Sequence, residues 1–69
     1  MVADYIHSCR WEEKQKGNVY EFWIPSADNL TELPKPGEWA ALTSIALDVS
    51  TFDIYVLLKT GWEKAGEGA

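Results

Sequence analysis

An alternating pattern of apolar residues runs through residues 44–58 and predicts a β-hairpin. Its two arms are rich in β-branched and aromatic residues and flank the loop Val49-Ser50-Thr51-Phe52. That loop predicts two pairs on one face, Leu47–Ile54 and Ile45–Val56, and two on the other, Ala46–Tyr55 and Ser44–Leu57. Both faces are thus partly apolar, and either a second layer or another chain must cover the Tyr55–Leu57 face.

After this hairpin, Thr60-Gly61 predicts a turn, and Trp62–Ala65 predicts a short returning strand. Residues 66–69 contain two glycines and no large apolar side chain, which predicts a flexible tail.

The first half of the chain predicts a second hairpin, because Lys16-Gly17-Asn18 is a turn signal and VYEFWI alternates after it. An even-numbered loop centred on Lys16-Gly17 pairs Trp11 with Phe22, Cys9 with Ile24 and Glu13 with Tyr20. One face then carries Cys9, Trp11, Tyr20, Phe22 and Ile24. Trp11 is expected in the core, and Arg10 is expected beside Trp23 as a cation–π pair on the other face.

A helix is the alternative for this segment, since Val2, Tyr5, Ile6 and Cys9 also follow helical spacing and Gly17 could be its C-cap. Residues 25–37 contain three prolines and a glycine, which predicts a connector with Leu30 and Leu33 directed inward. A helical turn starting at Pro36 is a second alternative. The sequence predicts one small all-β domain over residues 1–69, made of two hairpins and a C-terminal strand, with α+β as the alternative.

Composition excludes several functions. The chain has 69 residues and a net charge of −5, whereas a protein that neutralises nucleic-acid phosphates needs a basic surface. No apolar stretch approaches the ~20 residues that span a membrane. A single cysteine excludes an internal disulfide framework, and without a signal peptide it indicates a reducing compartment.

Few residues suggest chemistry. His7 and Cys9 fall two apart on one strand, where a buried thiol beside a half-buried imidazole is the simpler interpretation. Asp48 and Asp53 face each other beside the loop, where carboxylates commonly cap backbone amides. No phosphate-binding loop, nucleophile motif or metal-spaced cluster occurs. The sequence therefore predicts no enzyme, no catalytic or metal-binding residues and no cofactor.

Partner binding is the remaining expectation, because four tryptophans exceed what one small layer can bury and exposed tryptophan is enriched at binding hot spots. The candidate partner-binding residues are Phe52, Tyr55, Leu57, Trp62, Trp39 and Trp23.

The second hairpin resembles short virion-associated proteins of tailed bacteriophages and prophages. The resemblance covers roughly the last third of the chain, in the pattern SxALDxSTxDxYxL followed by Gly61-Trp62. Phe52 departs from it, since glycine usually follows Ser-Thr, where a type I turn with a bulge needs a left-handed residue. A phenylalanine there indicates either a different loop or a contact residue.

The resemblance implies a non-catalytic virion structural protein, namely a capsid decoration, head–tail or tail component made in the bacterial cytoplasm. Its partners would be capsid or tail subunits, or further copies of itself in a homo-oligomer. The alternative is a phage-encoded inhibitor of a host defence system or enzyme, similar to an anti-CRISPR protein, that binds one host protein.

Overall fold

The computed structural model describes residues 2–65, which form one five-stranded sheet in the order β1-β2-β3-β4-β5. The strands are β1 Ile6–Glu12, β2 Gly17–Ile24, β3 Ile45–Asp48, β4 Asp53–Leu58 and β5 Gly61–Lys64. Two short 3-10 helices, Val2–Tyr5 and Ala27–Glu32, complete the described elements. The predicted all-β fold is therefore confirmed, whereas the predicted tail at residues 66–69 lies outside the described residues.

The two hairpins are joined side by side through a parallel pairing of β2 and β3. Parallel neighbours cannot be linked by a tight turn, so the chain must cross from one end of the sheet to the other. Residues 25–44 make this crossing, and we refer to them as the crossover. The other three pairings are antiparallel.

The second hairpin has the predicted register. Leu47 pairs with Ile54, Ile45 with Val56 and Ala46 with Tyr55. The backbone N–H of Leu57 donates to the carbonyl oxygen of Ser44 at 2.8 Å, which continues the ladder. The predicted return strand after Thr60 is present as β5.

The first hairpin has the predicted even loop, but the predicted centre at Lys16-Gly17 is wrong. Cys9 pairs with Tyr20 and Trp11 with Asn18, so the loop is centred two residues earlier. Lys16 supplies the left-handed residue, with φ +54°. Gly17 lies instead in β2 against the crossover, where a Cβ would be 3.3 Å from the Cβ of Ala41, which is a tight contact.

Three expectations about β1 are wrong because it is an edge strand that the crossover does not cover. Trp11 is 56% exposed rather than in the core, and Cys9 is exposed rather than buried. The expected Arg10–Trp23 pair does not form, since Arg10 lies opposite Val19. The alternative of an N-terminal helix reduces to the 3-10 helix Val2–Tyr5.

The core lies between one face of the sheet and the crossover, and we call this side the covered face. Its buried cluster consists of Phe22, Ile24, Leu33 and Ala46. Leu30, half-buried in the 3-10 helix Ala27–Glu32, packs against this cluster. Both inward leucines of the predicted connector are therefore found where they were expected. The connector's prolines do not prevent this helix, because it begins after Pro25, at an N-cap formed by Ser26, and ends before Pro34.

Candidate protein-binding face

The opposite side of the sheet, which we call the open face, carries a continuous set of apolar side chains. Strand alternation and the observed register place six such residues together, next to the buried Val19: Trp23, Ile45, Leu47, Ile54, Val56 and Leu58. Trp23, Ile54 and Leu58 are each more than 40% exposed. Among residues 2–65, the segments that pack on the core lie against the other face. The open face is therefore an uncovered apolar surface.

One row of residues crosses the open face at right angles to the strands. The register places Glu21 beside Ile45, Ile45 beside Val56 and Val56 beside Glu63. The row thus has two aliphatic side chains at its centre and a carboxylate at each end.

Hydrogen bonds hold Glu21 in position on this row. One carboxylate oxygen accepts from Nε1 of Trp23 at 2.7 Å, and the other accepts from the hydroxyl of Ser8 at 3.5 Å. At the other end of the row, Oε2 of Glu63 accepts from the hydroxyl of Thr60 at 3.0 Å. Within the described part of the chain, neither glutamate forms an ion pair, whereas the neighbouring Arg10 is paired with Glu12 at 3.0 Å.

Stacking on His7 fixes the orientation of the Trp23 ring. The two rings stack with centroids 3.7 Å apart and an interplanar angle of 6°. A bulge between Ile6 and Ser8 makes this contact possible, because it turns His7 towards the open face, where an unbroken strand would direct it to the covered side. Trp23 remains 42% exposed and so presents a fixed aromatic surface.

The loop between β3 and β4 presents a second exposed aromatic residue. Phe52 is 77% exposed and has φ +64°, the left-handed conformation that usually takes glycine. Its backbone N–H donates to the carbonyl oxygen of Asp48 at 2.7 Å. The loop therefore keeps the shape that needs a left-handed residue, although a non-glycine residue costs ~1–2 kcal/mol there.

The facing aspartates stabilise this loop. Asp48 accepts from the hydroxyl of Ser50 at 2.6 Å and from its backbone N–H at 2.9 Å. The hydrogen bond from the Ser50 hydroxyl is the main reason why the pKa of Asp48 lies below its ordinary value. Asp53 accepts from the hydroxyl of Thr51 at 2.8 Å and lies 3.6 Å from Nζ of Lys64. Both carboxylates thus serve the turn, as the sequence indicated.

The six candidate partner-binding residues separate into two groups. Trp23 and Phe52 are exposed, on the open face and at the loop. The others lie on the covered side: Tyr55, Leu57, Trp62 and Trp39. Leu57 is fully buried, so its side chain is not exposed to a partner in this structure.

Trp62 and Trp39 both pack against Phe22, with ring centroids 6.1 and 6.0 Å away. Nε1 of Trp62 also donates to the carbonyl oxygen of Pro34, which ties β5 to the crossover. Trp39 keeps 49% of its surface exposed at the rim of the core. Strand alternation in the sequence correctly groups the residues of each face, but four of the six candidate residues lie on the face that the crossover covers. The sequence feature that could have identified the open face is the presence of two predicted aliphatic pairs, Leu47–Ile54 and Ile45–Val56.

The chain matches no protein-family model, no curated protein and no solved structure. Over residues 2–65, no group of three or more metal-ligating side chains could hold an ion. The same residues include no helix with the length and hydropathy needed to span a bilayer.

Proposed function

We propose that this chain is a non-catalytic structural protein of a bacteriophage virion, a capsid decoration, head–tail or tail component, which binds neighbouring subunits through its open face. The observation that carries this proposal is the uncovered apolar surface centred on Ile45 and Val56. Apolar patches of this kind, bordered by polar residues, mark interaction sites in soluble proteins.

The geometry supports adhesion in two ways. The apolar surface is built on strands, so its shape is fixed before a partner arrives and little ordering entropy is lost on binding. Trp23, stacked on His7, adds a rigid aromatic side chain of the type that dominates binding energies.

The assignment to a virion rests on the resemblance of the second hairpin to short phage proteins. Its pattern residues form a real hairpin with the expected register, and Asp48, Ser50, Thr51 and Asp53 all take part in the hydrogen bonds of the loop. In a virion, many copies would be arranged by the repeating subunits to which each copy binds.

The acidic ends of the Glu21–Glu63 row favour a second candidate function, inhibition of a host defence protein or enzyme. Proteins that bind nucleic acids have basic surfaces, and an acidic protein can occupy such a surface. This candidate requires one host partner with defined stoichiometry, whereas the virion component requires a fixed number of copies per particle.

The deciding experiment measures the chain in purified phage particles from the bacterium that encodes it. Quantitative mass spectrometry should find a constant ratio of this chain to the major capsid subunit. The variant Ile54→Lys, on the open face, should lose incorporation. Ile6→Lys is the matched control, because Ile6 is similarly exposed, at 38%, but lies on the edge strand β1. Absence of the wild-type chain from particles overturns the proposal.

A further inference from the structure

We propose that the open face binds a different protein, whose docking surface is apolar at its centre and carries a lysine or arginine on each side, rather than a second copy of this chain. This inference rests on the proposed function only in requiring that the chain acts through protein contacts. It goes further in stating the chemistry of the partner.

The spacing of the two carboxylates defines what the partner must present. Glu21 lies on β2 and Glu63 on β5, with β3 and β4 between them. Three strand spacings separate them by about 14 Å. The partner must therefore place its two cationic groups about that far apart, with apolar side chains between them that reach Ile45 and Val56.

The carboxylates are available for such a partner. In residues 2–65 the ion pairs that the structure contains use other acids: Glu12, Glu13 and Asp53. Glu21 and Glu63 accept hydrogen bonds only from neutral groups, the hydroxyls and the indole N–H described above. These bonds orient the carboxylates without neutralising them, so both remain complementary to a cation.

Symmetry opposes a second copy on this face. A two-fold axis that packs the row on its copy, centred between Ile45 and Val56, runs either along the strands or across them. An axis along the strands places Glu21 over the copy's Glu63 on both sides. An axis across the strands places each glutamate over its own counterpart. Like charges meet in both arrangements, which suppresses this pairing.

The net charge of −5 acts in the same direction, since it adds a general repulsion between copies. A basic partner is favoured by both the net charge and the row. The net negative charge accelerates its approach, and its cations pair with the two carboxylates of the row. Charge complementarity therefore selects a partner of opposite charge over self-association.

The first test converts the row from repelling its copy to attracting it. In Glu63→Lys, the axis along the strands brings Glu21 of each copy against an introduced ammonium group. We expect the wild-type chain to remain monomeric in analytical ultracentrifugation over a hundredfold concentration range, whereas Glu63→Lys forms dimers. The control is Glu13→Lys, which makes the same charge change in the β1–β2 loop and should stay monomeric.

Two outcomes of this test overturn the inference. A wild-type dimer that Ile54→Lys dissociates would show that the face already binds its copy. Dimerisation of Glu63→Lys and Glu13→Lys to the same extent would show that only net charge matters and that the row has no specific role.

The second test uses a defined probe, an amphipathic helical peptide with a leucine stripe and two lysines ~11 residues apart, about 16 Å along the helix. NMR titration should shift the amide resonances of Ile45 and Val56 and the indole resonance of Trp23. The same peptide with glutamates replacing the two lysines should bind at least about tenfold more weakly. Equal affinities, or shifts confined to other residues, contradict the inference.

Failure of this inference and failure of the proposed function are distinguishable. If the chain is present in particles but both peptides bind alike, the virion assignment stands and the basic partner is wrong. If the lysine peptide binds the row selectively but the chain is absent from particles, the partner chemistry stands and the virion assignment is wrong.

Discussion

The two faces of the sheet are formed by similar apolar sequence patterns, but one face is buried and the other is exposed. On β4, alternate residues belong to the two faces, and Leu57 and Leu58 are adjacent leucines with exposures of 0% and 41%. The crossover causes this difference, because it passes over only one side of the sheet. Residues 25–44 contribute Leu30, Leu33 and Trp39 to the covered face.

An apolar strand pattern indicates that its side chains must be buried, but it does not show whether the same chain or a partner buries them. Residues 2–65 contain one crossover, and it covers one face. The apolar side chains of the other face stay exposed in the isolated chain, and burial of ~25 cal/mol per Å² is still available when a partner covers them. The covered face therefore stabilises the fold, whereas the open face leaves apolar surface that the proposed partner would bury.

The largest expected effect contrasts these adjacent leucines. Leu57→Ala leaves a cavity in the core and should lower the free energy of unfolding by about 2–5 kcal/mol. Leu58→Ala removes the same atoms from a half-exposed site and should cost less than about 1 kcal/mol. Urea unfolding followed by tryptophan fluorescence measures both, and equal losses would show that the open face is also part of the core.

A smaller effect compares two serines across the sheet. Ser44 is fully buried, and its hydroxyl accepts from the backbone N–H of Tyr20 at 3.0 Å and donates to the carbonyl oxygen of Ala41 at 2.7 Å. Ser44→Ala leaves that N–H without a partner and should cost about 1–3 kcal/mol. Ser8→Ala on the open face removes only the 3.5 Å bond to Glu21 and should be nearly neutral.

Hydrogen exchange adds a local measurement for this pair. The amide of Tyr20 should lose protection in Ser44→Ala and keep it in Ser8→Ala. An unchanged amide in both variants would mean that water replaces the Ser44 hydroxyl and that the bridge between crossover and β2 is not structural.

The local elements could be predicted from the sequence, because local patterns determine them. The second hairpin has a four-residue loop with side-chain caps, so its register follows from residues 45–56 alone. The first hairpin shows where this reasoning fails. Gly17 reads as a turn residue in the sequence, but it lies in β2 close to Ala41, a contact distant in sequence.

The candidate site was harder to predict, since it depends on which side the crossover takes. Nothing in the alternation of β4 distinguishes Tyr55 and Leu57 from Ile54 and Val56. The aromatic residues favoured one face as an interface, whereas large aromatic side chains also give a small core most of its buried area. Trp62 shows this use, because its ring packs on Phe22 and its N–H is bonded to Pro34.

A further effect on stability is expected at Phe52, which is exposed in the loop between β3 and β4. Phe52→Gly should raise the free energy of unfolding by about 1 kcal/mol, because glycine adopts φ +64° without strain and the exposed ring contributes little packing. Thr51→Gly is the control and should destabilise, since Thr51 has no positive φ. A loss of stability in Phe52→Gly would show that the ring packs on the hairpin.

Acid titration gives the smallest expected effect and compares one carboxylate from each face. On the covered side, the Ser50 hydroxyl lowers the pKa of Asp48; on β1, the Arg10 side chain lowers the pKa of Glu12. The unfolded chain lacks these bonds and keeps ordinary pKa values. Each carboxylate therefore contributes stability that is complete above its ordinary pKa and is lost as the pH falls through its lowered pKa in the folded state.

Salt concentration distinguishes the contributions of Asp48 and Glu12 to the loss of stability at low pH. Asp48 is buried and bonded to neutral donors, so its contribution should persist at high salt and disappear in Asp48→Asn. Glu12 forms a partly exposed ion pair, so the difference between wild type and Glu12→Gln should shrink as salt screens it. Urea unfolding between pH 2 and pH 6 at low and high salt measures both, within the window set by ordinary carboxyl pKa values of about 4. A salt-sensitive Asp48 contribution would mean that solvent reaches this carboxylate and that the covered face ends before the loop.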